Sequence, residues 1–369
     1  AGEALRNSGE RLPSVRPGVW VEVMREAAGV IGVITPWNFP MAIPAWKIAP
    51  ALAFGNGVVF KPATLVPGSA WALAEIISRS GLPAGVFNLV MGAGGTVGEV
   101  LSGPQGVDAL TFTGSDAVGK GIAARAVAGG KKIQLEMGGK NPLVVLDDAD
   151  LEVAVHCAIQ GGYYSTGQRC TASSRLIVTA GLHDRFVAAL GQRLQQLTVD
   201  NALAPGTDIG PVVSQAQLEQ DLHYLRVGQE EGAHLVCGGE CVERGSRGYY
   251  LTPALFTGTH NAMRINREEI FGPIATVIRV EGFDEALAVA NDTPFGLVAG
   301  VVTRSLRQAE EFKNRAATGM VMVNLPTAGV DYHVPFGGCK GSSYGPREQG
   351  SYAREFYTTV KTVYSDAGR

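Results

Sequence analysis

Val30-Ile31-Gly32-Val33-Ile34 is an uncharged run with β-branched residues at four of its five positions, and it reads as a strand. Downstream a helical stretch begins at Ala42, a strand follows at Val58-Val59-Phe60, Pro67 opens a helix that closes near Gly81, and Val86 to Val90 returns to strand. Ala109 to Phe112, a helix around Asp116 to Ala128, Ile133 to Leu135 and Leu143 to Leu146 keep the alternation. Strands spaced by helices predict a parallel, doubly wound α/β sheet, with this first unit ending near Gly138-Gly139. Upstream, Val19, Val21 and Val23 alternate with Trp20, Glu22 and Met24, and across a Gly29 turn the two strands read as a hairpin.

A second α/β unit is expected from a helix at Asp150, strand Leu176-Ile177-Val178, a helix from His183 to Leu197, and strands at Ala275 to Val280 and Leu297 to Val302. From Val334 the tail turns Gly-rich and then aromatic and basic, Tyr352 to Lys361, too short for its own core. No repeat of 20 to 50 residues shows.

The 369 residues imply two to three domains of about 150 residues each. Hydrophobic residues reach 46% and charged ones only 18%, against a usual value of about 25%, which excludes disorder as the main description. The balance of 31 basic and 34 acidic residues gives −3 with no Lys/Arg block, so nucleic acid is not an expected partner. Five cysteines make an odd set, which points to a reduced cytoplasm rather than a disulfide framework. The apolar stretch from Ala27 to Phe60 is broken by Pro36, Pro40, Lys47 and Pro50, short of the roughly 18 residues of a membrane span. The chain opens on Ala1-Gly2-Glu3 without Met, which reads as a shortened N-terminus.

Three motifs fail on chemistry. Gly114 to Gly121 approaches a P-loop, but Gly121 stands where a Mg²⁺-binding hydroxyl is needed. Gly92, Gly94, Gly95 and Gly98 resemble a dinucleotide fingerprint with Val97 in place of its third glycine. His234, Cys237 and Cys241 have metal-like spacing but no fourth ligand nearby, so no metal site is expected.

Cys170, in Thr166-Gly167-Gln168-Arg169-Cys170-Thr171, is the nucleophile candidate, with Arg169 beside it to favour thiolate. A buried structural cysteine is the alternative for that residue alone. Glu136, in Leu135-Glu136-Met137-Gly138-Gly139-Lys140, ends an apolar strand where a carboxylate is costly unless used or paired. Asn38 lies in the proline-bracketed Pro36-Trp37-Asn38-Phe39-Pro40, which would fix its amide in place.

With Glu268-Glu269-Ile270-Phe271-Gly272-Pro273, Phe112-Thr113-Gly114-Ser115, Lys61-Pro62 and Pro335-Phe336-Gly337-Gly338, these segments resemble, in order and over essentially the whole chain, the NAD(P)-dependent aldehyde dehydrogenase superfamily. The resemblance implies two doubly wound α/β domains plus a β-hairpin oligomerisation arm. Its expected boundaries are 1–28 for linker and hairpin, 29–139 for a cofactor domain missing its N-terminal part, 140–340 for the catalytic domain, and 341–369 for a tail completing cofactor domain and arm. It implies Cys170 as nucleophile, Asn38 and the Cys170 N–H as oxyanion donors, and Glu136 as the base that hydrolyses the thioester. Cofactor contacts are expected at Trp37, Lys61, Thr64, Gly94, Ser115, Gly138, Glu269 and Phe271, with Lys47 and Glu348 in support. Thr64 stands where strongly NAD-selective relatives carry Glu, so the cofactor is expected to be NADP or NAD.

Gly9 to Gly18 and Val334 to Glu348 are similar to α-ketoglutaric semialdehyde (2,5-dioxopentanoate) dehydrogenases. That likeness implies a substrate tunnel lined by Phe39, Trp46, Tyr164, Val330 and Phe336, with Arg169 holding the substrate carboxylate; a structural ion pair is the other reading of Arg169. Succinic semialdehyde competes as substrate, and a truncated, non-catalytic chain acting as a structural partner competes as function. The resemblance also implies a homodimer or homotetramer.

Overall fold

Ile31 and Val33 are completely buried, and a strand covered on both faces needs neighbours in a parallel sheet rather than a hairpin partner. The computed structural model describes residues 2–366 and residue 368; Ala1 and Arg369, the outer bounds of the first and last expected segments, lie outside the described residues. In chain order the strands are β1 Glu10–Pro13, β2 Val19–Ala27, β3 Val30–Ile34, β4 Gly57–Lys61, β5 Phe87–Leu89, β6 Ala109–Thr113, β7 Lys132–Glu136 and β8 Asn141–Val145. They continue as β9 Ser173–Thr179, β10 His234–Cys237, β11 Ala254–Thr259, β12 Ile274–Val280, β13 Val298–Val302, β14 Met320–Val323, β15 Ser343–Tyr344 and β16 Thr358–Asp366. The chain divides into two units, Ala1–Met137 with Asp331–Gly337 and Ser343–Arg369, and Gly138–Val330 with Gly338–Ser342. Asp331–Gly337 thus packs with the first unit, inside the span read from sequence as one catalytic piece.

The first unit carries a six-stranded sheet in the order β15-β7-β6-β3-β4-β5, parallel except for β15 against β7. Side chains leave its strands alternately. Ile31, Val33, Val58 and Phe60 pack with Ile48 and Ala51 of helix Ala42–Ala53 and with Phe356 and Tyr357, whereas Leu110, Phe112, Ile133 and Leu135 meet Ile122 and Ala126 of helix Asp116–Ala128. Helices on both faces make it doubly wound. The chain runs outward from β3 in both directions, so the strand order reverses between β3 and β6.

The hairpin read between 19–23 and 30–34 is corrected. β2 pairs with β1 and β16 in a separate three-stranded antiparallel sheet, and Gly29, at φ 120°, turns the chain into the parallel sheet instead. The Gly29 and Val30 amides are taken by Asn56 and Asp108 side chains of the first unit. A hairpin arm does exist within residues 1–28, formed by β1 and β2.

The second unit holds a seven-stranded sheet, β10-β11-β12-β9-β8-β13-β14, parallel except at β10. Leu143, Val145, Leu176 and Val178 face helices Leu151–Gly162 and Ala180–Gln195, while Val144, Ile177, Ile278 and Val301 face helix Phe283–Asn291 and Phe312. The 143–146 stretch, beyond the expected end of the first unit near Gly138-Gly139, runs through β8 of this sheet. Asp150 starts helix Leu151–Gly162 by accepting the Glu152 and Val153 amides. Among the described residues no helix is long and apolar enough to cross a membrane.

Candidate active site

In open parallel sheets, ligands gather outside the carboxyl ends of strands where the order reverses. Register brings the expected residues of the first unit to that edge: Ile34 of β3 pairs with Lys61 of β4 and Phe112 of β6, and Thr113 pairs with Glu136 of β7. The Thr35 amide donates to the Lys61 carbonyl at 3.2 Å and the Gly114 amide to the Glu136 carbonyl at 3.1 Å, extending the ladder into the loops that carry Trp37, Asn38, Phe39 and Ser115. The Thr35 and Thr113 hydroxyls, at the ends of adjacent strands flanking the reversal, are buried without a hydrogen-bond partner among the described residues.

Lys61 is buried, not a solvated surface lysine; its ammonium donates to the Pro62 carbonyl at 2.9 Å, and burial pulls its pKa down. Ser115 occupies the N-cap of helix Asp116–Ala128 in extended conformation without spending its side chain on the cap. Thr64 and Gly94 are exposed, Gly94 at the start of the short π-helical turn Gly94–Gly98. The near-miss P-loop has a packing explanation: a Cβ on Gly114 would lie 2.4 Å from the Phe112 ring, and one on Gly119 2.3 Å from the Met137 sulfur.

Glu136 is 3% exposed, and Ser343 of β15 donates to its Oε2 at 2.5 Å. Burial pushes its pKa well above the ordinary carboxylate range; the Glu348 charge pushes the same way, and the Ser343 hydrogen bond, Lys47 and Arg347 oppose. Lys47 and Glu348 form a fully buried ion pair, and the Lys47 ammonium also donates to Thr111 at 2.8 Å. The Trp46 and Phe336 rings stand 5.7 Å apart.

In the second unit, Cys170 follows a strained turn in which Ser165, Thr166 and Gly167 take φ of 55°, 59° and 64°. For the two non-glycine residues such backbone costs about 1–3 kcal/mol each, so something must hold it. The Thr166 hydroxyl donates to the Gly210 carbonyl, and Gln168 accepts the Val213 amide. Asn141 donates to the Cys170 and Ala172 carbonyls at 2.7 and 3.0 Å, and Thr327 to the Thr171 carbonyl at 2.7 Å. Asn141 and Thr327 were missed from sequence; a polar residue opening the apolar strand β8 was the available signal for Asn141.

Arg169 donates to the Gln160 carbonyl at 3.3 Å and the Ser165 hydroxyl at 2.7 Å, while its Nε is buried without a partner among the described residues. No acidic partner holds it among the described ion pairs, which removes the support for a structural ion pair. Tyr164 and Val330 are half-buried.

Glu269 accepts the Gly139 amide at 3.0 Å, and a Cβ on Gly138 would lie 2.0 Å from its Oε2, so only glycine leaves the carboxylate its place. Phe271, two residues on, is held at φ 65°. Lys140 is a further residue that sequence reading passed over: fully buried, its ammonium lacks a hydrogen-bond partner among the described residues, and burial lowers its pKa to about 7, with Arg175 acting the same way and Glu269 and Glu268 opposing. His234 and Cys237 lie on the edge strand β10, and Cys241 makes a bridge to Leu251.

The chain belongs to the aldehyde dehydrogenase family, whose model matches residues 1–363. Alpha-ketoglutaric semialdehyde dehydrogenase of Bacillus subtilis (strain 168) is 47% identical over 366 residues, 99% of this chain and 75% of that protein. 2,5-dioxopentanoate dehydrogenase of Saccharolobus solfataricus is 42% identical over 98% of this chain and 76% of its own length, and betaine aldehyde dehydrogenase of Mesorhizobium japonicum is 43% identical over 95% and 72%. Among solved structures, betaine aldehyde dehydrogenase of Staphylococcus aureus in complex with NAD+ superposes with a TM-score of 0.97 at 36% identity, over 100% of this chain and 73% of that one.

Proposed function

We propose that this chain oxidises an aldehyde bearing a carboxylate, α-ketoglutaric semialdehyde foremost, to the free acid 2-oxoglutarate with NAD or NADP. The observation that carries the choice of substrate is Arg169, a part-buried guanidinium one residue from Cys170 whose Nε has no hydrogen-bond partner among the described residues. A cation there favours an anionic aldehyde and opposes the quaternary ammonium of betaine aldehyde. The names of two of the relatives above agree with the first choice.

In this reading the Cys170 sulfur attacks the aldehyde carbon, and the Asn38 amide and Cys170 N–H hold the oxygen that becomes negative. A bound dinucleotide would supply the acceptor for the aldehyde hydride. Glu136 then takes a proton from water as that water attacks the thioester; its raised pKa makes it a stronger base than an exposed glutamate. The first unit is the proposed cofactor unit, with Lys61, Thr64, Gly94, Ser115 and Trp37 toward the dinucleotide. Two buried threonine hydroxyls at the strand reversal, without a hydrogen-bond partner among the described residues, fit a polar ligand there. Gly138, Glu269 and Phe271 are assigned to the nicotinamide riboside. Phe39, Trp46, Tyr164, Val330 and Phe336 are the proposed substrate lining.

The reading includes a cytoplasmic homodimer or homotetramer. β16 is a sheet edge with Val360 and Tyr364 exposed, and a second copy would cover it. The test is kcat/KM for α-ketoglutaric semialdehyde, succinic semialdehyde, betaine aldehyde and an uncharged aldehyde, each with both cofactors. The dicarbonyl acid should lead, and equal rates for betaine aldehyde would refute the choice.

A further inference from the structure

Helix Gln215–Glu230 of the second unit presents Leu218, Leu222 and Leu225 to the core, and Asp221 falls on that same apolar stripe. Its side chain is completely buried. Oδ1 accepts from the Gln217 side-chain Nε2 at 2.9 Å, and Oδ2 has no hydrogen-bond partner among the described residues. The carboxyl lies directly on the backbone of Gly272: a Cβ there would come within 2.2 to 2.5 Å of its three atoms.

The same helix grips the 268–273 turn at three other points. Gln217 and Gln220 both donate to the Ile270 carbonyl, at 3.0 and 2.8 Å, and the Tyr224 hydroxyl donates to Glu268 at 2.7 Å. Between these points Phe271 sits at φ 65°, a conformation that costs about 1–3 kcal/mol and persists only when its surroundings enforce it. The Gly272 carbonyl in turn closes on Gly167, where a Cβ would lie 2.1 Å away. Asp221 therefore stands behind Gly272, and Gly272 behind the loop that carries Cys170.

We propose that Asp221 is a positioning residue for the cofactor-facing turn: its buried carboxyl, seated on Gly272, fixes the backbone of residues 270–272 and so sets affinity for the dinucleotide. This rests on the reading of Glu269 and Phe271 as cofactor contacts. Below about pH 7 the carboxyl does this work uncharged, because burial raises its pKa to about 7, with the Gln217 hydrogen bond opposing. Nearby charges are engaged elsewhere: Glu268 with Arg264 and Tyr224, and Glu269 with the Gly139 amide beside Lys140. Ionised, the carboxylate is a buried charge without a counterion, and it strains the turn to reach water.

The test is titration of the full chain with NADH, followed by nicotinamide fluorescence from about pH 6 to about pH 8.5, for the wild type and for Asp221→Asn, Asp221→Ala and Glu269→Gln. Wild-type Kd should rise about threefold or more across pH 7 relative to Asp221→Asn, which is neutral at every pH and equal in shape and so keeps only the change that Lys140, also titrating near 7, contributes to both. Asp221→Ala should bind weakly at all pH, with circular dichroism confirming the fold. An Asn variant that keeps the wild-type pH profile overturns the proposal. If Glu269→Gln weakens binding and the Asp221 variants do not, only the positioning role fails; if Glu269→Gln also binds as wild type, or the wild type binds no NADH, the cofactor reading of the turn fails with it.

Discussion

The Ser343 hydroxyl donates to the Glu136 carboxylate at 2.5 Å, at the point where β15 pairs with the last residue of β7. A hydrogen bond to the charged form favours that form, so Ser343 holds down a pKa that burial pushes up. In Ser343→Ala the pKa should climb further, and because the base works only when deprotonated, the acid limb of the thioester-hydrolysis rate should move to higher pH. Glu136→Gln should slow that step by about 10² to 10⁴-fold while leaving a stoichiometric burst of NADH. Rapid-mixing absorbance across pH reads both; steady turnover by the Gln variant would remove Glu136 from the role.

Lys47 and Glu348 are 0% and 4% exposed, so deleting one partner leaves the other charged in the interior. Lys47→Met should cost about 3–5 kcal/mol in urea unfolding, and the double variant Lys47→Met with Glu348→Met should recover much of the loss. A double variant no better than the single would mean that Thr111, which also binds Lys47, carries the cost.

What the sequence made legible were features written in consecutive residues. β3, β4, β6 and β7 are short apolar runs punctuated by glycine or by helix starts, and their order gave the doubly wound sheet. Partnership was less visible: nothing in Val19 to Val23 says that its neighbour is β16, more than 300 residues away, rather than β3. The same holds for the site. Cys170, Glu136 and Glu269 stand in recognisable motifs, but the residues that hold them, Asn141, Thr327, Ser343 and Lys140, have roles created by packing, and Asp221 looks like an ordinary exposed helix acid until its burial is seen.

Gly138 leaves room for Glu269 and little else. An alanine Cβ would displace the carboxylate, which is the far end of a flexible side chain, so Gly138→Ala should barely alter the melting temperature. Its effect should fall on cofactor KM, rising about tenfold, equivalent to about 1.4 kcal/mol. A large loss of stability with unchanged KM would contradict the assignment of Glu269.

Lys140 and Asp221 give stability opposite pH dependences. The Lys140 amine falls from 10.5 to about 7 on folding, so the unfolded chain binds more protons between those values and stability rises with pH across that window. Lys140→Met should therefore be more stable than wild type at and below pH 7, by the order of 4 kcal/mol, and the advantage should fade toward about pH 10. Chemical denaturation at several pH values measures it, and a gain independent of pH would point to packing alone.

Thr64 is exposed three residues beyond Lys61, which ends β4. A carboxylate at that position would accept a hydrogen bond from a ribose 2′-OH and repel a 2′-phosphate, whereas threonine leaves the phosphate unopposed. The wild type should accordingly use NADP at least comparably to NAD, and Thr64→Glu should lower kcat/KM for NADP by about ten- to a hundredfold, some 1.4–2.7 kcal/mol, with that for NAD maintained. Steady-state rates with both cofactors decide it. A wild type that already prefers NAD by more than about a hundredfold would show that the discrimination lies elsewhere on the strand edge.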